Sequence, residues 1–226
     1  MKNRKSILIV MGEPNSIFTE ILSKTINKLI LKKEINKPII LIGSKKLILA
    51  QLKILKSKLK FEMLENNFTH YNKLKKKVYL IDVEFKFKKP FDKISTNSKK
   101  YISNCFKKAF GLINSNISNF LINGPISKKH FLDKKYPGVT EYVFQKSKEK
   151  KSINPIMLIY NKNLSVSPIT THVPLKNVSK MIKKSLIVNN TLHINQFYKN
   201  KLKKKPKMAI LGLNPHCESK TKINEE

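Results

Sequence analysis

Short apolar runs alternate along this chain with longer stretches in which apolar residues recur every three or four positions. The runs Ile7–Met11, Pro38–Ile42, Val78–Val83, Asn119–Ile122, Pro155–Tyr160 and Met208–Leu213 read as strands. The stretches Ile17–Leu31, Lys45–Leu59, Lys99–Ile113 and Leu175–Tyr198 read as helices. In the first of these, Ile17, Ile21, Leu22, Ile26, Leu29 and Ile30 fall on one stripe with lysines opposite, so one face is built for burial. Strands joined by crossover helices predict an α/β fold with a mainly parallel sheet covered on both faces. No internal repeat is present.

Composition changes this picture little. With 226 residues and 40% apolar content, the chain can build one large domain or two small ones. A formal charge of +33 would ordinarily suggest nucleic acid, but of 47 basic residues only Arg4 is arginine. Readers of bases and phosphates favour the arginine fork, and these lysines are spread along the whole chain, so nucleic acid is not an expected partner. Lysine, asparagine and isoleucine are enriched together, as an A/T-rich coding bias would produce. Tracts such as Lys201–Lys207 then read as solvated turns. Cys105 and Cys217 have neither disulfide nor zinc-finger spacing, which fits a reducing cytoplasm. The apolar run after the basic N-terminus is interrupted by Glu13 and has no small-residue cleavage site, and no stretch is long and apolar enough to span a bilayer.

Candidate chemistry sits where strands give way to loops. Met11-Gly12-Glu13-Pro14-Asn15-Ser16 follows the first predicted strand, with Ser16 placed to cap the next helix. Ile122-Asn123-Gly124-Pro125-Ile126-Ser127-Lys128-Lys129 is a second such turn, and Lys128 stands where a cation meets a substrate phosphate or carboxylate. In Tyr136-Pro137-Gly138-Val139-Thr140-Glu141-Tyr142, Thr140 is a candidate helix cap and Glu141 suits the positive helix end. Two histidines follow apolar runs read as strands: His172 in Ile169-Thr170-Thr171-His172-Val173-Pro174-Leu175, and His216 in Leu211-Gly212-Leu213-Asn214-Pro215-His216. Such a pair suggests a metal or substrate site at the carboxyl edge of a sheet. His70, His130 and His193 lie in lysine-rich or helical surroundings and receive no role. No G-x-G-x-x-G occurs, so an ordinary Rossmann dinucleotide site is unsupported.

Taken in order, Gly12-Glu13-Pro14, Gly124-Pro125-Ile126-Ser127-Lys128, Pro137-Gly138-Val139-Thr140-Glu141, Thr170-Thr171-His172-Val173-Pro174-Leu175 and Gly212-Leu213-Asn214-Pro215-His216 resemble the 4-hydroxythreonine-4-phosphate dehydrogenase family. The resemblance implies an isocitrate/isopropylmalate-dehydrogenase-like three-layer α/β fold, incomplete at the C-terminus, which binds NAD without the glycine fingerprint. Residues 1–226 would then be the N-terminal portion, in two lobes meeting near 125–140. It further implies a cytoplasmic homodimer of vitamin B6 biosynthesis. The reaction is oxidation and decarboxylation of 4-phosphooxy-L-threonine to 3-amino-2-oxopropyl phosphate, with NAD and a divalent metal (Zn, Mg or Co). On that resemblance His172 and His216 are metal ligands, Thr140 contacts substrate, Val139 occupies a substrate-binding position and Lys128 is a catalytic rim residue.

Departures from the family pattern sharpen these expectations. Val139 stands where the family usually has histidine, and a valine cannot hydrogen-bond a phosphate. The first loop has Glu13 in place of the usual aspartate and lacks the glycines that follow it. The chain ends just after His216, before the third metal histidine and much of the NAD pocket, so it is expected to be inactive alone. The alternatives are a dehydrogenase of a phosphorylated four-carbon sugar acid such as threonate or erythronate phosphate, or an inactive remnant.

Overall fold

The computed structural model describes residues 5–65, 68–132, 135–146 and 155–212. The chain divides into two compact units, Met1–Lys150 and Lys151–Glu226. In the first unit five parallel strands, β1 (Ile7–Val10), β2 (Ile39–Gly43), β3 (Glu62–Leu64), β4 (Val78–Asp82) and β5 (Phe120–Asn123), form one sheet in the order β3-β4-β2-β1-β5. The side-chain period of two sends alternate residues to opposite faces. Leu8, Val10, Ile40, Ile42, Tyr79 and Ile81 face helix α3 (Lys99–Asn114), with Phe131 of the turn Lys128–Leu132 and Tyr142 of α4 (Val139–Lys146) in the same cluster. Ile9, Met11, Ile39, Leu41, Val78 and Leu80 face α1 (Phe18–Leu31) and α2 (Lys45–Ile54). This is the expected α/β sheet covered on both faces. The edge strands are the exceptions, since Phe120 and Ile122 of β5 stay 40% and 50% exposed and Met63 of β3 stays 40% exposed. The Lys37 ammonium lies 4.1 Å from the Phe120 ring centroid, a cation–π contact.

Helices α1, α2 and α3 stop in the same way. At α1, Lys33 takes a left-handed conformation (φ 54°), Lys33 N donates to the Ile30 carbonyl and Glu34 N to the Leu29 carbonyl. Lys56 (φ 49°) and Asn116 (φ 59°) repeat that pattern after α2 and α3. This is the Schellman stop, which satisfies the last carbonyls and usually has glycine at its left-handed position. A lysine there costs about 1–2 kcal/mol of steric crowding, of which glycine returns about 0.4–1 through its freer unfolded chain. Lys33→Gly and Lys56→Gly are therefore each expected to stabilise the fold by about 0.5–1 kcal/mol, read from urea midpoints at constant slope.

The second unit holds an isolated antiparallel bridge between Ile159 and Val166, then α5 (Val178–Met181), α6 (Lys184–Phe197) and a turn Tyr198–Leu202. The Tyr198 hydroxyl donates to Ser165 Oγ at 2.8 Å, fixing the end of this helical segment to the loop after the bridge. Three expectations need correction here. Pro155–Tyr160 is not a strand beyond that one bridge, and Met208–Gly212, the described part of the last predicted strand, is irregular. Ile210 and Leu211 are 65% and 87% exposed, and an apolar run without a ladder partner does not become a strand. The predicted helix Leu175–Tyr198 breaks at Ile182 and Lys183, both extended. Lys180, Lys183 and Lys184 would stack like charges at three- and four-residue spacing on a continuous helix. Among the described residues no helix is long and apolar enough to cross a membrane.

Candidate functional site

The strand order brings the first two sequence segments together. From β1 the chain moves to β2 and onward on one side, then returns to place β5 on the other side of β1. The loop after β1 leads to α1 on one face of the sheet, whereas the loop after β5 leads to the turn Lys128–Leu132, whose Phe131 and Leu132 pack on the opposite face. Adjacent parallel strands whose following connections diverge to opposite faces open a crevice at their carboxyl ends, where ligands bind in open α/β sheets.

The walls of that crevice are backbone held at close approach. Glu13 N donates to the Pro125 carbonyl at 2.8 Å, and Gly124 N to the Val10 carbonyl at 2.8 Å. Gly12 has φ 70°, and a Cβ on it would stand 2.6 Å from the Pro125 oxygen. A Cβ on Gly124 would in turn run into the Met11 carbonyl. Gly12 is therefore fixed by contact as well as by conformation, and Gly124 by contact. Beneath the first loop, buried Gln51 of α2 donates to the Pro14 carbonyl at 2.8 Å and the Pro90 carbonyl at 2.7 Å, while accepting from the Thr19 hydroxyl. Ser16 stands one residue before the cap position expected of it, although its Oγ accepts from Phe18 N at the start of α1 at 3.3 Å. Its hydroxyl donates to the Glu13 carbonyl at 2.7 Å, closing the turn, and Ile17 stands at the cap position without a side-chain bond.

Two polar groups that the sequence left without a role converge here. Glu13 is 2% exposed, with Oε2 3.0 Å from Ser98 Oγ and Oε1 buried without a hydrogen-bond partner. Burial raises its carboxyl above the ordinary glutamate value, against the opposing pull of Ser98, the Asn15 backbone and His130. His130, given no role from the sequence, has Nδ1 2.9 Å from Ser127 Oγ. Its spacing of three from Ser127, just after a strand-ending Gly-Pro, is the signal that marks it.

The remaining expected residues are placed as follows. Lys128 opens the turn after β5 and is exposed. Val139 is partly buried against the α3-side core and is the first residue of α4. Thr140 is exposed inside the first turn rather than at its cap, because the helix starts two residues earlier than expected. No strand precedes His172. It is exposed, in a left-handed conformation (φ 55°), within irregular chain of the second unit. His216 lies outside the described residues. Among the described residues no three His, Cys, Asp or Glu side chains converge as a metal site. Cys105 is buried in α3, and burial pushes its thiol up to about 12, which leaves no thiolate for nucleophilic work.

Comparison with known proteins adds the decisive observation. Residues 34–226 match the family model of the pyridoxal phosphate biosynthetic protein PdxA. The chain belongs to the PdxA family. It is 32% identical over 226 residues to a 4-hydroxythreonine-4-phosphate dehydrogenase of Sulfurihydrogenibium sp., covering 97% of this chain and 66% of that protein. A protein of the same name from Aquifex aeolicus is 31% identical over 228 residues, covering 98% and 67%. The PdxA family chain thus spans about two thirds of the length of the curated relatives it matches. The crystal structure of a 4-hydroxythreonine-4-phosphate dehydrogenase from Burkholderia phymatum superposes with TM-score 0.74 at 20% identity, covering 94% of this chain and 63% of that one. That likeness bears out the fold expected from the sequence.

Proposed function

We propose that this PdxA family chain carries part of the site of an NAD-dependent 4-hydroxythreonine-4-phosphate dehydrogenase, acting in the cytoplasm as a homodimer. The substrate is 4-phosphooxy-L-threonine. Its secondary alcohol loses hydride to NAD and a proton to a base, and the resulting β-keto acid loses carbon dioxide to leave 3-amino-2-oxopropyl phosphate. The observation that carries this reading is the family match over residues 34–226. The crevice between the β1 and β5 loops supports it, as the place where such a sheet receives a ligand.

Each side chain has a task suited to its chemistry. Lys128, exposed at the rim, offers its ammonium to the substrate phosphate, and Thr140 offers a hydroxyl. Val139 presents only an apolar surface, so the phosphate must be held by other donors. The imidazole of His172 suits a divalent ion of the zinc type, with His216 its expected companion. When bound, NAD supplies the hydride acceptor and the ion a Lewis acid for the substrate hydroxyl. One described imidazole does not make a metal site, so no step here depends on the ion.

The test supplies 4-phosphooxy-L-threonine, NAD and zinc to the chain, alone and together with the segment of the Sulfurihydrogenibium relative that it does not span. NADH and carbon dioxide should form in equal amounts in the combination, and His172→Ala should abolish both while leaving the circular dichroism spectrum unchanged. Turnover of threonate or erythronate phosphate instead of 4-phosphooxy-L-threonine would overturn the substrate assignment.

A further inference from the structure

The geometry points to Glu13 as a positioning residue that stands as the neutral carboxylic acid, donating from Oε2 to Ser98 Oγ, so that one proton ties the β1 loop to the start of α3. Ser98 Oγ lies 3.0 Å from two oxygens at once, Glu13 Oε2 and the Ser95 carbonyl. A hydroxyl has one hydrogen to give. The Ser95 carbonyl can only accept, so both contacts are full hydrogen bonds at once only if the Ser98 hydrogen goes to Ser95 and a protonated Glu13 supplies the hydrogen to Ser98. The other oxygen agrees: Oε1 is buried with no partner, a place that an ionised carboxylate would occupy at high cost. Glu13 and Ser98 are each 2% exposed.

Burial, the largest influence on this carboxyl, raises it in the direction the geometry requires. Of the groups acting on it, His130 is the titratable one, and its charge would favour the ion, as do the neutral Ser98 hydroxyl and the Asn15 backbone. Ionisation would release the proton to water and leave Ser98 to choose between two acceptors. The β1 loop would then lose its tie to α3 while keeping its bond from Glu13 N to the Pro125 carbonyl. This inference is independent of the substrate proposed above.

The pH dependence follows from the proton. Above the ordinary glutamate value of 4.5 the unfolded chain has released it, while the folded chain still holds it. Stability contributed by the acid is therefore full below that value and falls as pH rises, until the folded carboxyl ionises as well. Glu13→Gln keeps a neutral donor for Ser98 and removes the titration. Urea unfolding of the full chain and of Glu13→Gln between about pH 4 and 8 should give a ratio of folding constants, wild type over variant, that is flat below about 4.5, falls as pH rises above it with a slope of at most tenfold per pH unit, and levels off once the folded carboxyl ionises. A ratio independent of pH, or one that rises, would overturn the proposal. The carboxyl carbon resonance of Glu13, followed in the ¹³C-glutamate-labelled chain and assigned by its loss in the variant, should titrate above 4.5. Titration at or below that value would overturn the proposal. If Glu13→Gln does not fold, assignment by backbone-correlated spectra of the wild type leaves the same titration to decide.

Discussion

Phe106→Ala should destabilise the first unit by about 3–5 kcal/mol, the range for removing a fully buried aromatic side chain. Phe106 of α3 is 0% exposed, and its ring centroid lies 5.8 Å from Phe110, 6.1 Å from Phe131 and 5.2 Å from Tyr142. It therefore joins α3 to the turn after β5 and to α4, elements that carry His130 and Thr140. Typical domains have only about 5–15 kcal/mol in total, so this single cavity would remove a large share of the unit's stability. Urea denaturation followed by circular dichroism should show a lower midpoint with little change in slope. Phe106→Leu, which leaves a smaller void, should lose less. Equal losses in the two variants would show that cavity volume is not the controlling quantity.

Gly12→Ala should cost about 3 kcal/mol and open the crevice between the β1 and β5 loops. A left-handed alanine contributes about 1–2 kcal/mol, and loss of a buried backbone hydrogen bond about 1 more. The added Cβ meets the Pro125 oxygen at 2.6 Å and the Gly124 carbonyl carbon at 2.8 Å, both backbone atoms with no rotamer to escape into. The bond from Glu13 N to the Pro125 carbonyl is the contact that must yield, so the Glu13 amide should exchange with solvent faster than in the wild type. Gly111→Ala is the matched control. Gly111 lies within α3 with nothing within 4 Å of a built Cβ, and the same substitution there should stabilise by about 0.5–1 kcal/mol. If both variants lost stability equally, close approach would not be the reason for the glycine at position 12.

The elements that the sequence revealed best are those whose burial pattern is self-contained. In α1 and α3 the apolar stripe is broad enough to give both type and extent, and β1, β2 and β4 are nearly continuous apolar runs because the sheet is covered on both faces. β3 escaped notice because it is three residues long and buries only Leu64. α4 was legible only by its start, through Thr140 and Glu141, because eight residues are too few to show an extended apolar stripe. Pro155–Tyr160 and Met208–Gly212 carry the apolar pattern of strands, but a ladder requires a neighbour that periodicity does not reveal. The same division holds for the candidate site. Gly12, Gly124 and Pro125 were legible as turn chemistry, whereas Glu13, Ser98 and His130 depend on strand order and on elements 85 residues apart in sequence.

The left-handed positions divide by what surrounds them, and this shapes the substitutions the chain tolerates. At Lys33, Lys56 and Asn116 only the backbone conformation disfavours a side chain, and side chains are in fact present. At Gly12 the conformation is joined by a carbonyl wall. Drift toward lysine and asparagine codons can therefore proceed at helix ends at a small cost per step, which accumulates as lowered stability without touching the crevice. At Gly12 and Gly124 the same drift meets a steric barrier at once. Mutational tolerance in this chain is set by contact rather than by conformation.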